Sequence, residues 1–408
     1  MFQLNPWVLS VLACLLLATP LLAQYQDLPD IYDTMRALTN GTSSDVACFR
    51  LTDSTGAVTW TEGTPYSTNL LCLRVAKGGI GTGRKKILVI GNQHAREWIA
   101  NRCVLDCAQF VISNRNSTVW PQEWRFTNYL AKFKGMNISN LTDNANIYFI
   151  PVVNPTGYAY SYANDTNVTT GWRKNRRATT GDADPGAGRY STYDSIEPGV
   201  DLNRNWPSTD WAEDGERIWF PGPDKQIRTS RYRMDEVYCG KPVGNSWTNT
   251  PFRPPICEKE VEAVVTLINS NTFDVIIDMH SWGRQVGWAE NVATNSIHIR
   301  ANQGWSNDQQ VVQLLAAKAA SLIKDPDSGD LYTPKSPYPV SGDSLWYQYE
   351  KSGSNSLAFL IEVGPDYNFR PNNATAHSDA VMPGMLFMMF SAVDKSFSAK
   401  PTFRFRKP

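Results

Sequence analysis

Four apolar runs rich in β-branched residues constrain the fold of this chain most, because each has the length and composition of a buried strand. These runs are Lys86 to Gly91, Asn146 to Asn154, Phe273 to Met279 and Leu357 to Val363. Helices are predicted between or after them, near 97–113, 257–269, 307–323 and 379–394. This alternation predicts an α/β fold in which helices cover both faces of a central sheet.

The length and charge of the chain set two further limits. About 385 residues follow an apolar N-terminal segment, and 42% of the chain is hydrophobic, which suffices for one large α/β domain or two ordinary ones. No linker interrupts the order of the motifs described below, so we expect one domain over 24–398 and a short tail over 399–408. The 39 basic and 39 acidic residues balance, which predicts no electrostatic attraction to nucleic acid or anionic lipid.

An imidazole and a carboxylate lie three residues apart directly after the first predicted strand, at His94 and Glu97. Zinc accepts both ligand types, and a catalytic zinc site uses three protein ligands and keeps the fourth position for water. By composition alone, a Glu follows a given His at this spacing about one time in twenty. A His and a Glu three residues apart therefore more often have a structural role than a metal-binding one. The position at a strand end, with Arg96 inside the motif, favours a metal half-site.

The third ligand must come from elsewhere, and the chain has only four histidines, at 94, 280, 298 and 377. His280 ends the apolar run 274–280 and precedes a turn-like Ser-Trp-Gly sequence, so it is the preferred candidate. His298 and His377 lie in stretches that predict structural or exposed histidines.

Three further polar clusters follow or interrupt apolar runs. Asn203 and Arg204 stand side by side, and the planar fork of an Arg can bind a carboxylate through two parallel hydrogen bonds. The basic run 171–177 is by itself typical of a solvated loop. Glu362 lies within an apolar strand. Burying a carboxylate there costs free energy unless the carboxylate is paired or takes part in the function of the protein.

Together these landmarks resemble the zinc metallocarboxypeptidases of the carboxypeptidase A/B type. They follow the family order: His94-x-x-Glu97, Asn154-Pro-Thr-Gly-Tyr158, Trp172-Arg-Lys174, Asp201-Leu-Asn-Arg-Asn-Trp206, His280-Ser281, Ser341-Gly342 and Glu362. Unrelated proteins would have to reproduce both the identities and the order, so the set is far more specific than any single motif. The resemblance implies a mixed, largely parallel central sheet and a single catalytic domain.

The resemblance also implies the chemistry of the site. One zinc ion per chain would be bound by His94, Glu97 and His280. Arg173 would stabilise the oxyanion, and Glu362 would act as general base and then as general acid. The substrates would be the C-termini of peptides or proteins.

Substrate contacts follow from the same resemblance. The pair Asn203-Arg204 would hold the terminal carboxylate, and Arg96 would contact residues upstream of the cleaved bond. Tyr338 would close over the bound peptide end, with Tyr332 and Tyr347 as nearby competitors for that role.

Two assignments remain open for the residue that determines which C-terminal residue is preferred. In register with the family, Leu345 falls where a hydrophobic residue accompanies a preference for aliphatic or aromatic C-terminal residues. A shift of two residues would place Asp343 there, and an Asp accompanies a preference for Lys or Arg. We expect a hydrophobic preference.

Two other functions compete with this one. A zinc amidohydrolase acting on a non-protein substrate would keep the metal ligands and Glu362 but would not need the Asn203-Arg204 clamp. A secreted binding protein on an inactive scaffold would have lost a ligand or the base, whereas every such position is filled here.

The N-terminal segment predicts the compartment. Residues 7–23 are almost unbroken apolar positions that end at Ala23, which is typical of a secretory signal over 1–23. We therefore expect a secreted or lumenal monomer that does not associate with a membrane after the signal is removed. Fewer than 70 residues separate Ala23 from the strand that precedes His94, so no inhibitory pro-domain is expected.

Cysteines and sequons agree with an oxidising compartment. We predict two disulfides, Cys48 with Cys72 and Cys239 with Cys257, whereas Cys103 and Cys107, four residues apart on a predicted helix, would be buried thiols because a bridge there strains the backbone. Seven Asn-x-Ser/Thr sequons predict a glycosylated surface. They begin at Asn40, Asn116, Asn137, Asn140, Asn164, Asn167 and Asn373.

Overall fold

The structure is a computed structural model that describes residues 24–52, 69–120, 135–165, 171–176, 199–207, 220–221, 227–228, 258–288, 307–335, 343–352 and 356–394. Several sequence predictions lie outside these residues. They concern the signal segment 1–23, the tail 399–408, Tyr338, His298, the Cys239–Cys257 pair and the sequon at Asn167.

The strands of the described residues are β1 (Val46–Arg50), β2 (Leu71–Val75), β3 (Lys85–Gly91), β4 (Ala145–Ile150), β5 (Phe220–Pro221), β6 (Ile227–Arg228), β7 (Val275–His280), β8 (Gln285–Trp288), β9 (Thr333–Pro334) and β10 (Leu357–Glu362). The helices are α1 (Leu28–Ala37), α2 (Trp98–Ser113), α3 (Ile138–Asn144), α4 (Pro155–Asn164), α5 (Lys259–Asn269), α6 (Asn307–Ala320), α7 (Ser344–Ser352) and α8 (Ala374–Val393). The predicted strands correspond to β3, β4, β7 and β10, and the predicted helices to α2, α5, α6 and α8.

One sheet organises the described part of the chain, with its strands in the order β1-β2-β4-β3-β7-β10-β8-β9. The four central strands, from β4 to β10 in this order, run parallel to one another. Antiparallel pairs flank them, between β2 and β4 on one side and between β8 and β10 on the other. The prediction of a mixed, largely parallel sheet is confirmed.

Helices and buried side chains cover both faces of this sheet. Along β3, Ile87 and Val89 join the core that includes α2, α6 and α8. The alternate residues Leu88 and Ile90 join a second core with α5. Because successive strand residues point to opposite faces, strands that are buried on both faces read as the continuous apolar runs seen in the sequence.

The register of the parallel strands decides where the polar strand ends meet. Gly91, the last residue of β3, lies opposite Met279 of β7. Glu362, the last residue of β10, lies directly opposite His280, the last residue of β7. The carboxyl ends of these three strands therefore lie at the same edge of the sheet, where ligands bind in open α/β folds.

The predicted disulfide between Cys48 and Cys72 is wrong, since both are free cysteines. In the antiparallel β1–β2 pair, Cys48 lies opposite Leu73 and Phe49 lies opposite Cys72. Directly opposed residues share a face and successive residues alternate. Cys48 and Cys72 therefore point to opposite faces of the sheet, and each packs into a different core.

Other predictions about single residues are confirmed. Cys103 and Cys107 on α2 are buried free thiols. His377 has a structural role, since it is buried on α8 with its Nε2 3.0 Å from Asp327 Oδ2. Within the described residues, no helix combines the length and apolar character needed to cross a membrane.

Candidate metal and active site

The turn between β3 and α2 carries the first two candidate ligands. Asn92 opens this turn with a positive φ of 53°, a conformation that Asn tolerates better than most residues. Its side-chain nitrogen donates to the carbonyl oxygens of His94 and Glu97, at 3.0 and 3.1 Å. Because Asn92 fixes the backbone at both positions, the two side chains project together from the strand end.

His280 reaches the same point from the neighbouring strand. Its Nδ1 lies 2.9 Å from Glu97 Oε2 and 3.2 Å from His94 Nδ1, and His94 Nδ1 lies 2.7 Å from Glu97 Oε1. Within the part of the chain that the structure describes, these three residues are the one set of His, Cys, Asp and Glu side chains able to hold a metal ion, with ligand atoms all within 4.8 Å of one another.

The donor set and its spacing fit zinc. Two nitrogens that each lie 2.0–2.1 Å from a tetrahedral zinc are separated by about 3.3 Å. The 3.2 Å between the Nδ1 atoms of His94 and His280 matches that separation. Two imidazoles and one carboxylate, all buried, form the three-ligand set of a catalytic zinc site, which keeps a fourth position open.

The buried groups strongly affect one another's ionisation. Burial alone would raise the pKa of Glu97, but His94 and His280 beside it lower that pKa far below its ordinary value. Burial alone would lower the pKa of His280, but Asp278 and Glu97 raise it well above its ordinary value. The neighbouring imidazoles therefore favour the ionised form of the Glu97 carboxylate.

Asp201 connects the metal ligands to the candidate oxyanion arginine. Its Oδ1 lies 3.3 Å from His94 Nε2, and its Oδ2 accepts a 2.8 Å hydrogen bond from Arg173 Nε. Burial would raise the pKa of Asp201, but Arg173 and His94 hold it well below its ordinary value. Arg173 is thereby fixed 3.9 Å from Glu97 Oε1, at the edge of the metal site.

Glu362 lines the same cavity from the end of β10. Burial, and the negative charge of Glu97, raise the pKa of Glu362 to about 8, against the lowering effects of His280 and Arg173. A divalent cation beside it would add positive charge and lower this pKa, because an opposite charge favours the ionised form.

The structure brings the other candidate residues to one cavity of about 390 Å³. This volume lies in the range of ligand pockets, roughly 300–1,000 Å³. Besides the groups already described, the lining includes the predicted substrate residues Arg96, Asn203, Arg204 and Leu345. Tyr338, the remaining one, lies outside the described residues.

The candidate carboxylate clamp lies on a short 3-10 turn, Leu202–Arg204. Both polar side chains are buried at the cavity wall. Arg204 donates from one terminal nitrogen to the carbonyl oxygen of Asn203 at 2.6 Å, and Asn203 Oδ1 accepts from the backbone of Ser344 at 2.9 Å. The clamp is thus tied to the first residue of α7.

Both residues considered for specificity reach this cavity. Leu345 is buried and packs with Ala358 and Leu360, and Leu360 also lines the cavity. Asp343 lines it too, with partial exposure.

Sequence reasoning missed several residues of the site. Asp201 lies inside the Asp-Leu-Asn-Arg motif, so the motif itself was the signal that could have identified it. The ring centroid of Phe369 lies 4.3 Å from Cζ of Arg96. Phe369, Gln285 and Lys335 all line the cavity. These three carry no local sequence signal, because only the fold brings them to the site.

Comparisons with known proteins agree with this geometry. The sequence profile described as zinc carboxypeptidase matches residues 64–380. The chain is 25% identical over 280 residues to carboxypeptidase B2 of Rattus norvegicus, covering 68% of this chain and 48% of that protein. It is 32% identical over 123 residues to the inactive metallocarboxypeptidase ECM14 of Arthroderma otae, covering 30% of this chain and 15% of that protein.

Among solved structures, the chain resembles thrombin activatable fibrinolysis inhibitor with a TM-score of 0.60 at 20% identity, covering 90% of this chain and 74% of the other. At this identity the likeness concerns the fold alone. The chain spans about half the length of the rat relative and less of the fungal one.

Proposed function

The chain belongs to the zinc carboxypeptidase family, and from this premise we propose that it is a zinc-dependent carboxypeptidase that removes single residues from peptide C-termini. One observation carries the proposal above all. His94, Glu97 and His280 converge in the wall of a cavity that Glu362 and Arg173 also line.

The proposed reaction is hydrolysis of the last peptide bond. A zinc ion held by the three ligands would polarise the scissile carbonyl and lower the pKa of a bound water to about 7. Glu362, at the adjoining strand end, takes the proton of the attacking water and passes it to the leaving amine. A positioned general base and acid of this kind typically contributes about 100- to 10,000-fold.

Arg173 provides the positive charge that meets the developing oxyanion. Asp201 holds its guanidinium through the 2.8 Å hydrogen bond to Nε, and one terminal nitrogen lies 3.9 Å from Glu97 Oε1 at the candidate metal site. Preorganised charge of this kind acts mainly on the tetrahedral stage, and such stabilisation is usually the largest single contribution to catalysis.

The clamp explains why the enzyme would act only at a free C-terminus. Arg204 and Asn203 are buried beside the metal site, where they would bind the substrate's terminal carboxylate. A chain that continues past the site would leave the buried guanidinium without this partner, at a cost of roughly 2 to 5 kcal/mol. Such a clamp is not required for an amidohydrolase with a non-protein substrate.

The pocket favours a hydrophobic C-terminal residue. Leu345 and Leu360 form an apolar wall, and burying a large apolar side chain against such a wall contributes about 1.5–3 kcal/mol. Asp343, which lines the cavity but is partly exposed, supports the second candidate, a preference for Lys or Arg. Comparing peptides that end in Phe and in Arg distinguishes them, and Leu345→Asp should shift the preference towards Arg.

We extend the proposal to the whole protein. Residues 1–23 would be a secretory signal, 24–398 the catalytic domain and 399–408 a tail, and the protein would be a secreted or lumenal, glycosylated monomer. Four sequon asparagines, Asn40, Asn116, Asn164 and Asn373, are exposed. Asn137 and Asn140 are only partly exposed and cap α3 through reciprocal hydrogen bonds, so glycans are expected first at the exposed four.

Hydrolysis of a panel of peptides with varied C-terminal residues tests the proposal, with and without a chelator. We expect release of single residues, loss of activity on chelation and recovery on adding zinc. Glu362→Gln should bind zinc but release about 100- to 10,000-fold less product.

The same assay tests the alternative of an inactive scaffold, which the name of the fungal relative raises. Product release equal to that of Glu362→Gln, in protein with one bound zinc, would establish that alternative. Activity that survives complete metal removal would contradict the zinc mechanism.

A further inference from the structure

A buried carboxylate beneath the metal site has no part in the proposed reaction. Asp278 lies two residues before His280 on β7 and is fully buried. Neighbouring residues on a strand point to opposite faces, so positions two apart share a face. Asp278 therefore lies on the same side of the sheet as His280, and its Oδ2 is 3.2 Å from His280 Nε2.

Two donors hold this carboxylate. Trp206 Nε1, which can only donate, bonds to Gln93 Oε1 at 2.8 Å and so fixes the orientation of that amide. Gln93 Nε2 therefore faces Asp278 Oδ2, to which it donates at 2.5 Å, and the Ser344 hydroxyl donates to the same oxygen. Within the described residues, Asp278 Oδ1 has no hydrogen-bond partner.

These contacts constrain the proton on His280. Asp278 Oδ2 lies 3.2 Å from Nε2, and a carboxylate at this distance favours a proton on that nitrogen because a carboxylate oxygen can accept from it. A neutral imidazole with its proton on Nε2 has a lone pair on Nδ1, the atom that faces Glu97 and His94. Asp278 thus favours the tautomer in which His280 can ligate a cation. His94 has a similar neighbour in Asp201.

The same proton affects the carboxylate clamp. Asn203 Nδ2 lies 3.4 Å from His280 Nε2, and its orientation is fixed because Asn203 Oδ1 accepts from the Ser344 backbone. An amide N–H cannot donate to a nitrogen that already carries a proton. In the tautomer with its proton on Nε2, the Asn203 amide therefore needs another acceptor, and a substrate carboxylate in the cavity would supply one.

We propose that Asp278 is a positioning residue that orients His280 towards the metal and, through Ser344, ties this ligand to the wall that binds the substrate. Ser344 begins α7 and precedes Leu345 of the pocket. The Asp278 carboxylate, whose Oδ1 has no hydrogen-bond partner within the described residues, would be compensated by the positive charge of a cation bound to His280. This inference rests on the proposed zinc-dependent function.

Zinc affinity tests the inference in the full-length protein. Asp278→Asn keeps the volume and removes the charge. The dissociation constant for zinc, measured by competition with a chelating indicator, should rise about 10- to 100-fold, as is typical when a partner of a metal-ligating His is lost. Ser344→Ala keeps the carboxylate and removes one donor, so a smaller rise is expected.

A matched control lies one residue before the same strand. Asp274 pairs with Lys85 at 2.6 Å, away from the site, so Asp274→Asn should leave the zinc affinity unchanged. A second measurement separates positioning from general destabilisation. The visible absorption of the cobalt-substituted protein reports the ligand geometry, and it should change in Asp278→Asn but not in Asp274→Asn.

The outcomes separate this inference from the proposed function. If the unsubstituted protein binds no zinc, the proposed function itself fails. If it binds zinc and Asp278→Asn binds equally well with an unchanged cobalt spectrum, only the positioning role of Asp278 is overturned. If Asp278→Asn does not fold, Ser344→Ala decides, and an unchanged zinc affinity in that variant overturns the inference.

Discussion

At the scale of single residues, the site consists of buried charged groups. Burying any one of them alone would cost free energy, and together they stabilise one another. Glu97, Asp201 and Asp278 are buried carboxylates, and each lies beside a histidine or an arginine of the site. Buried charges persist only when they are paired and hydrogen-bonded. Substituting one of these charged residues should therefore also affect the charged residues paired with it.

Arg204 is the residue whose loss should change the type of substrate. Arg204→Ala should lower kcat/KM on peptides with a free C-terminal carboxylate by roughly 30- to 4,000-fold, the equivalent of about 2 to 5 kcal/mol for a buried charge pair that loses one member. Hydrolysis of the same peptides with amidated ends should change little, since they lack the charge that Arg204 binds. Equal losses on both substrates would refute the clamp. Arg115→Ala, remote from the cavity, is the control.

Glu362 gives a pH-dependent prediction for the metal-free protein. Its pKa is raised from 4.5 to about 8, chiefly by burial, so the folded state favours the protonated form. The stability that this group contributes is fully present below pH 4.5 and is lost as the pH rises through 8. Urea unfolding should show Glu362→Gln gaining stability relative to the unsubstituted protein over this interval. A constant difference between the two proteins across the interval would contradict the raised pKa.

At the scale of elements, strand ends and turns decide the site. The central strands were predictable because burial on both faces leaves an apolar run that is easily read. Helices α1, α3, α4 and α7 were not predicted. They are short, from 7 to 10 residues, and tertiary packing contributes most of the stability of such helices.

Gly157 on α4 tests how that helix positions Arg173. A β-carbon at Gly157 would overlap the carbonyl oxygen of Lys174, the residue after Arg173. Gly157→Ala should therefore displace this segment, lower the unfolding free energy by about 1–3 kcal/mol and reduce kcat. Ala159→Gly on the same helix is a matched control, because it destabilises by about 1 kcal/mol without reaching that segment. Thermal unfolding and kcat are the measurements, and full activity in Gly157→Ala would contradict the contact.

At the scale of the whole molecule, the sheet separates two cores and so decides which distant residues can meet. It brings His94 and His280, 186 residues apart, into contact at one edge. It also keeps Cys48 and Cys72 apart, although they lie on neighbouring strands.

The separation of the cysteines predicts the thiol content. Protein denatured without reductant and then alkylated should yield modified peptides from Cys48, Cys72, Cys103 and Cys107. Peptide mapping by mass spectrometry is the measurement, with a reduced sample as control. A peptide pair linked through Cys48 and Cys72 would show that the β1–β2 register is different.

The sequence by itself determined the fold class, and it predicted the candidate metal ligands and clamp residues that line one cavity. Apolar runs and ordered motifs are local features, so they can be recognised in the sequence without knowledge of the fold. Only the tertiary structure decided that the disulfide between Cys48 and Cys72 cannot form, that Asp201 and Asp278 lie beside the candidate metal ligands, and that Phe369 packs against Arg96. These facts depend on strand register and on which face a side chain takes, and a shift of one residue reverses the face. No local pattern records that register, because it arises from the pairing of strands that are distant along the chain.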